Sequence, residues 1–305
     1  MEETQRRKLL NDSFPREDKL LEVFKSDPLD YLLPNKEADI WKHYVDELNK
    51  VADEIGGTWT DSAIPVRFHL FGSVLAGMAL DPNKLDKLGI DKSNASDVDI
   101  MLLGNGLNGK DINMEKVRDD LRSRQLLTHG YLNTEKTILS DELTFRQKTC
   151  NIDITTKPGG LENSFFFSSL NQTFPEIHRL LVAVKLFVKK HEICGGKEWT
   201  PFRNRLSIPG FALFEPFTKR GAICGQAFLE FAKWMSEFPF LTKGFDLQNG
   251  GEFTRTEKNY KKNGRMIVVD PFSGVNHGKP SVRKKGVQIV QNAFKTVVDS
   301  QQAPF

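Results

Sequence analysis

The sequence predicts an α+β protein of two lobes, an α/β lobe followed by a mainly helical one. Segments with strand and helix periodicity alternate up to about residue 157, and the later segments are mainly helical. The Lys-Pro-Gly-Gly run at 157–160 separates the two patterns. We therefore expect an α/β domain at 51–160, a helical domain formed by 1–50 and 161–305, and a binding site in the cleft between them.

The first elements begin with an amphipathic helix. Apolar residues recur at helical spacing from Ala38, and the pattern stops at the Gly56–Gly57 pair, as helices often do. We expect this helix to pack on the second lobe. The segment 64–72 alternates as a strand does, and a short helix is expected to begin at Ser73. The polar stretch 81–96, which contains Pro and Gly, predicts a loop or an insertion.

The remaining elements follow from the same periodicities. In the first lobe a strand is predicted at 96–104, a helix at 112–127 and one or two strands at 143–156. In the second lobe the predicted elements are helices at 174–193, 211–238 and 287–298, a turn at 261–265 and a short strand at 268–274.

The composition is that of a soluble globular protein. Of the 305 residues 39% are apolar and 27% are charged, and no apolar run approaches the roughly 18 residues of a membrane span. The N-terminal residues lack the apolar stretch of a secretory signal. Three well-separated cysteines form neither a disulfide framework nor a metal-ligand pair, which favours a reducing compartment. The basic run at 283–285 is too short to indicate the nucleus, so we expect the cytoplasm.

The charge distribution indicates a polyanionic partner near the C-terminal part. The net charge is only +3, but residues 251–300 carry ten basic and four acidic side chains. Such a segment is typical of a nucleic-acid contact, and equally of a solvated basic surface.

Three aspartates are the strongest chemical signal. Asp97 and Asp99 are two apart in a predicted strand and therefore share a face, while Asp153 stands between Ile152 and Ile154 in another apolar strand. Isolated aspartates in strands are disfavoured by propensity and by desolvation. Two Mg²⁺ or Mn²⁺ ions shared by these carboxylates would account for them. Singly, an Asp-x-Asp is more often a solvated edge or a turn.

Gly72 and Ser73 precede the aspartates at a predicted helix start. Their backbone N–H groups, the Ser73 hydroxyl and the positive end of the helix suit a phosphate group. The alternative is an ordinary helix cap.

These motifs together resemble the signature of the DNA polymerase β-like nucleotidyltransferases. Downstream, the sequence is similar to the noncanonical poly(A) polymerases and terminal uridylyltransferases over about residues 40–298. The motifs that carry this second resemblance are the segment 163–170, the pair Lys185 and Lys189 on one helix face, and Asp270-Pro271-Phe272 with Asn276 and His277. Without the resemblance, the two lysines would be read as side chains that extend from a helix edge to solvent.

The resemblance implies a polymerase β-like catalytic α/β lobe and a poly(A)-polymerase-type helical lobe. The implied reaction is template-independent transfer of a nucleoside monophosphate from an NTP to an RNA 3′ hydroxyl, as in RNA 3′-end processing and tailing. It implies two metal ions: Asp97 and Asp99 would hold both, Asp153 would complete one ligand set, and Asp153 is the nearest candidate for general base. UMP, AMP or both would be added, with GMP as a further candidate.

The resemblance also implies a set of substrate contacts. The residues it assigns to the nucleotide are Gly72, Ser73, Asn163, Ser164, Lys185, Lys189, Ser207, Asn276 and His277. Asn163 and Ser164 would face the ribose, and Asn276 and His277 would lie near the base. One departure concerns the Ser-Tyr segment whose tyrosine stacks on the base, because Ile208-Pro209 replaces it here. The choice of base stays open.

Single-stranded RNA and UTP or ATP are the expected partners. The candidate RNA contacts are the basic residues Lys261, Lys262, Arg283, Lys284 and Lys285. No RNA-binding module is recognisable, so the target RNA would be chosen by this surface or by a partner protein. No membrane is expected as a partner.

Two alternatives remain, a nucleotide-binding scaffold without catalysis and an enzyme that transfers nucleotide to a small molecule. The three repelling carboxylates argue against the scaffold.

Overall fold

The computed structural model describes residues 26–92, 96–106, 109–135, 137–156, 160–191, 224–246, 251–254, 267–269 and 284–300. The chain divides into two compact units. The unit that we call the sheet unit contains residues 32–82 and 95–171. The other, called the helical unit, contains residues 1–31, 83–94 and 172–305.

The helices and strands of the described residues are numbered in chain order. They are α1 (Asn35–Ile55), β1 (Val66–Phe71), α2 (Gly72–Leu75), α3 (Pro82–Leu85), β2 (Val98–Gly104), α4 (Met114–Ser123), β3 (Tyr131–Asn133), β4 (Ile138–Phe145), β5 (Lys148–Thr155), α5 (Gly160–Thr173), α6 (Pro175–Lys190), α7 (Cys224–Glu237), β6 (Lys243–Asp246), β7 (Gly251–Thr254), β8 (Val268–Val269) and α8 (Lys284–Ser300). None of these helices has both the length and the apolarity that a bilayer crossing requires.

The sheet unit is built on five strands in the order β1-β2-β5-β4-β3. β2 and β5 are parallel, and the other neighbours are antiparallel. Alternate residues of β2 and β5, among them Val98, Ile100, Ile152 and Ile154, are buried in the core beneath the sheet. The strand period of two therefore sends the intervening residues to the opposite face.

Helix α1 belongs to this core. Its buried stripe includes Trp41, Tyr44 and Leu48, and all three lie in the same apolar cluster as the strands. The Asn49 side chain accepts from the N–H of Phe68 (2.8 Å) and donates to its carbonyl (3.0 Å), which fixes α1 against β1. The expectation that α1 packs on the helical lobe is therefore wrong, and the predicted boundary at residue 51 differs from the observed division. A short connection to β1 lets α1 cover the strand that follows it.

Helix α2 is a single turn, shorter than the sequence predicts. Gly77 adopts φ +67° and ends it. The N–H of Gly77 donates to the carbonyl of Val74 (3.2 Å), and the N–H of Met78 donates to that of Ser73 (2.8 Å). This pair of bonds is the usual helix termination by a left-handed glycine.

The helical unit has an aromatic core. The Phe187 ring of α6 lies 5.8 Å from Phe228 of α7 and 4.6 Å from Phe294 of α8, between ring centroids. Phe231 of α7 also packs on Phe294, at 5.5 Å. A second sheet, in the order β7-β6-β8, belongs to the same unit.

Several sequence predictions need correction. β3, β6 and β7 have no counterpart in the sequence analysis. The polar stretch 81–96 is only partly a loop, because it forms helical turns and buries Leu85, Leu88 and Ile90. A few apolar side chains are enough to anchor such a segment, although its average composition is polar. The predicted turn at 261–265 and the predicted helix over 211–223 lie outside the described residues.

Candidate active site

Two of the three predicted aspartates, Asp99 and Asp153, lie on one face of the sheet. Asp99 of β2 is directly opposite Asp153 of β5 in the parallel register. Asp97 immediately precedes β2, and its place on the same side as Asp99 stays a prediction from strand alternation. All three side chains are partly exposed, whereas Ile100 and Ile154 beside them are fully buried. The structure thus brings together residues that are far apart in the sequence.

The donor chemistry of this cluster fits Mg²⁺ or Mn²⁺, which prefer carboxylate oxygens and retain several waters. In the part of the chain that the structure describes, however, no group of three or more His, Cys, Asp or Glu side chains forms a ready-made metal site. Adjacent carboxylates repel one another, so they converge fully only around a cation. Asp99 and Asp153 share a face and a register, and the metal ligand set of the three aspartates stays a prediction.

Ser140 contacts the third aspartate. It lies opposite Asp153 in the antiparallel β4–β5 pair, and its hydroxyl donates to Oδ1 of Asp153 at 2.6 Å. A hydrogen bond of this kind fixes the carboxylate and satisfies one of its oxygens. The sequence analysis missed Ser140, because only the strand register places it beside Asp153.

Gly72 is the point at which the α2 turn meets Asp99. Phe71 is opposite Asp99 in the β1–β2 register, and Gly72 follows with φ +69°. A Cβ atom at Gly72 would lie 2.0 Å from Oδ2 of Asp99 and 2.9 Å from its Cβ. Only glycine permits both this conformation and this approach.

Ser73 has an unsatisfied hydroxyl beside this contact. Its side chain is only 4% exposed, and among the described residues its Oγ has no hydrogen-bond partner. A buried polar group left unpaired costs about 1–3 kcal/mol. A phosphate oxygen at this position would satisfy it.

The Ser164 hydroxyl contacts backbone groups, whereas the sequence analysis predicts that it contacts the ribose. The side chain is fully buried in α5, where its hydroxyl accepts from the N–H of Gly72 (2.7 Å) and donates to the carbonyl of Gly160 (2.6 Å). Its hydroxyl is therefore committed to the backbone. The Gly72 N–H is engaged as well, and the contact of this turn with a phosphate stays a prediction. Asn163 is partly exposed, and its ribose contact stays a prediction.

Ser96 fixes the segment that carries Asp97. Its buried hydroxyl accepts from the N–H of Leu80 at 3.0 Å, and its carbonyl accepts from Sγ of Cys150 at 3.6 Å. Burial, and then the charge of Asp97, raise the pKa of the Cys150 thiol to about 12. A raised pKa disfavours the thiolate, which is the reactive form of a cysteine.

Lys185 and Lys189 lie on α6 in the helical unit. Their side chains are 1% and 3% exposed, which is inconsistent with lysines that extend from a helix edge to solvent. An ammonium group at such depth requires polar partners, and neither lysine is without an interaction in the structure. Their predicted contact with the triphosphate remains a prediction.

Several predicted residues lie outside the described part of the chain. They are Ser207, Asn276 and His277 of the nucleotide set, and Lys261, Lys262 and Arg283 of the RNA set. The backbone of Lys284 and Lys285 forms the first turn of α8.

Comparison with solved structures identifies the fold. A structure of a cytoplasmic RNA terminal U-transferase matches with TM-score 0.66 and 14% identity, over 88% of this chain and 88% of that one. The Cid1 poly(U) polymerase bound to Mg and 3′-dATP matches with TM-score 0.66 and 16% identity, over 88% and 90% of the two chains. A mutant of mtPAP in complex with ATPγS matches with TM-score 0.67 and 11% identity, over 90% and 69%.

The chain therefore has the fold shared by terminal uridylyltransferases and noncanonical poly(A) polymerases, and the predicted fold class is confirmed. At these identities the likeness establishes the fold alone. No protein-family model and no curated protein sequence matches the chain.

Proposed function

We propose that this protein is a template-independent RNA 3′-terminal nucleotidyltransferase of the noncanonical poly(A) polymerase and terminal uridylyltransferase family. The observation that carries the proposal is the register of Asp99 opposite Asp153, with the Gly72–Ser73 turn against Asp99. The fold supports it, because its solved relatives include an RNA terminal U-transferase and structures with bound nucleotides.

In the proposed reaction the RNA 3′ oxygen attacks the α-phosphorus of the NTP, a new phosphodiester bond forms and pyrophosphate leaves. Asp153 would accept the proton of the 3′ hydroxyl; the hydrogen bond from Ser140 to its Oδ1, which orients the carboxylate, supports this role. The Ser73 hydroxyl, which has no hydrogen-bond partner among the described residues, would donate to a phosphate oxygen. Two Mg²⁺ or Mn²⁺ ions held by Asp97, Asp99 and Asp153 would acidify the 3′ hydroxyl and neutralise the phosphates.

The direct test is incubation of the protein with labelled NTP, Mg²⁺ or Mn²⁺ and a single-stranded RNA. Extension of the RNA supports the proposal. A labelled small-molecule product would instead indicate transfer to another acceptor.

A nucleotide-binding scaffold of the same fold is the second candidate. The feature in its favour is the Ile208-Pro209 pair, which replaces the Ser-Tyr segment of the resembling family. The same assay separates the two functions, because a scaffold binds NTP but leaves both the nucleotide and the RNA unchanged.

We expect relaxed choice of base. The stacking tyrosine of the resembling family is replaced by Pro209, and stacking contributes affinity without selecting a base. Selection would then rest on hydrogen bonds from Asn276 and His277, each worth only about tenfold. In an equimolar mixture of the four NTPs, sequenced tails should contain U, A and some G. Tails of a single base would contradict this expectation and imply a further recognition contact.

Lys189→Met should weaken NTP binding. Loss of a charge-assisted contact of about 1.5–3 kcal/mol raises KM for NTP about 10- to 100-fold, while kcat changes little because the contact is made equally before and during reaction. The matched control is Lys190→Met, which removes the same charge from the neighbouring, partly exposed position. Steady-state kinetics on a folded variant decides the question. If the two variants had the same KM, Lys189 would be a structural residue of α6.

A further inference from the structure

Helix α5 contacts both ends of the α2 turn. At the start of the turn, the N–H of Gly72 donates to Oγ of Ser164 at 2.7 Å. At its end, Nδ2 of Asn171 donates to the carbonyl of Ala76 at 2.7 Å. All four residues are buried and belong to the sheet unit. Two side chains of one helix thus hold the first N–H and the last carbonyl of this turn.

The spacing on α5 suits this arrangement. Ser164 and Asn171 are seven residues apart, about two helical turns, so they lie on the same face of the helix. Phe167 lies between them on that face and is also buried. The hydroxyl of Ser164 donates in turn to the carbonyl of Gly160, one helical turn earlier. Its orientation is therefore fixed from both sides.

The N-terminus of α5 also approaches β1 closely. A Cβ atom at Gly160 would lie 2.5 Å from Cε2 of the Phe71 ring. Phe71 immediately precedes Gly72, so α5 packs against the residue that leads into the turn. A glycine at this position permits an approach that any other residue would block.

The turn itself needs external support. It is only one turn long, and a helix this short has few internal hydrogen bonds to hold it. It nevertheless contains the close approach of Gly72 to Asp99 and the Ser73 hydroxyl, which has no partner in the part of the chain that the structure describes. Small movements of the turn would separate these two features.

We infer that Ser164 and Asn171 are positioning residues, which hold the Gly72–Ala76 turn so that Ser73 and Asp99 keep their spacing for the nucleotide phosphates. Ser164 acts through the backbone of Gly72 and Asn171 through that of Ala76. Neither side chain needs to touch the substrate. This inference rests on the proposed function for the identity of the ligand, and on the contacts alone for the bracing of the turn.

The first test is a double-mutant cycle on nucleotide binding. Ser164→Ala and Ser73→Ala should each raise the Kd of a non-hydrolysable NTP analogue about tenfold. If Ser164 acts through the turn, the double variant is no worse than about tenfold, because the contact that Ser164 positions is already lost. Additive effects of about a hundredfold would overturn the inference, as would an unchanged Kd in Ser164→Ala. The control is Ser169→Ala, an exposed position of α5, which should bind as wild type.

A second readout does not depend on function. Hydrogen exchange of the amides of residues 72–76 should become faster in Ser164→Ala and in Asn171→Leu, while exchange in β4 stays as in wild type. Two results would show that these residues only stabilise the fold. One is exchange that becomes faster throughout the protein, and the other is exchange at residues 72–76 that stays as in wild type. If Ser164→Ala does not fold, Asn171→Leu and Ser164→Thr provide the same comparison. Because Ser164→Thr retains the hydroxyl, amide exchange at the turn should be slower in it than in a variant without the hydroxyl.

The two tests separate the possible failures. In one outcome the wild-type protein extends RNA, and Ser164→Ala has the Kd and the hydrogen exchange of wild type. This outcome would overturn the positioning role and leave the proposed function intact. Wild-type protein that binds no NTP would overturn the proposed function together with the phosphate part of the inference, although faster exchange at 72–76 would still support the bracing itself.

Discussion

We expect Asp99→Asn to abolish the proposed transfer of nucleotide to RNA and to leave the fold intact. Asp99 is opposite Asp153 in the β2–β5 register and is the carboxylate that the Gly72 turn approaches. In the proposed reaction Asp99 would hold the metal ions, and loss of this charged ligand would weaken metal binding and the stabilisation of the transition state by several kcal/mol. Since about 1.4 kcal/mol corresponds to a factor of ten, kcat/KM should fall by about 10³-fold or more.

The stability of Asp99→Asn should equal or exceed that of wild type in the absence of metal. Neutralising one member of a group of repelling carboxylates relieves that repulsion, and asparagine keeps the size of the side chain. Thermal unfolding in EDTA measures this effect, and single-turnover RNA extension measures the loss of activity. Glu142→Gln on β4 is the matched control, because it removes the same charge from an exposed position of the same sheet. A folded Asp99→Asn variant with wild-type extension would contradict the catalytic assignment.

Gly72→Ala should be severely damaging to both activity and stability. Its Cβ atom would overlap Oδ2 of Asp99, and because the Cβ of Asp99 also lies within 2.9 Å, side-chain rotation cannot relieve the overlap. The backbone must therefore move and the turn must leave Asp99. We expect extension to fall at least about 100-fold and the free energy of unfolding to fall by about 2–4 kcal/mol.

Gly77→Ala provides a matched control in the same turn. Gly77 has nearly the same backbone conformation, φ +67° against +69°, but a Cβ atom there would meet nothing within 4 Å. The substitution at Gly77 therefore has the conformational cost of a left-handed alanine, about 1–2 kcal/mol, without the collision. Urea denaturation and RNA extension of both variants give the comparison. Equal losses would show that backbone strain alone matters and that the approach to Asp99 is irrelevant.

Part of the candidate site could be predicted from the sequence because it depends on local periodicity. Asp97 and Asp99 share a face whatever the strand pairs with, since side chains alternate along any strand. The strand at 66–71 and the helices over 114–123 and 175–190 were predicted for the same reason. α1 ends at Ile55, close to the predicted stop, but Gly56 keeps a right-handed conformation (φ −56°) and begins a 3₁₀ turn, so the helix does not end in a left-handed glycine cap.

Other features could not be predicted because they depend on which segments pair. α1 and the helices of the second lobe have similar apolar stripes, and a stripe does not specify the surface that it covers. The predicted place of α1 was therefore wrong. Ser164 was assigned to the ribose from its motif, but whether a hydroxyl faces a ligand or the backbone depends on what lies beside it, and here the neighbour is the N–H of Gly72.

The sequence by itself determined the fold class, the shared face of Asp97 and Asp99, and the presence of a Gly-Ser turn before them. The tertiary structure alone decided that Asp153 lies opposite Asp99, that Ser140 donates to Asp153, and that α5 holds both ends of the turn. The physical reason is the range of the interactions. Alternation along a strand and helix termination are set by residues a few positions apart, whereas strand register and side-chain contacts between distant segments are fixed only when the whole apolar core is packed.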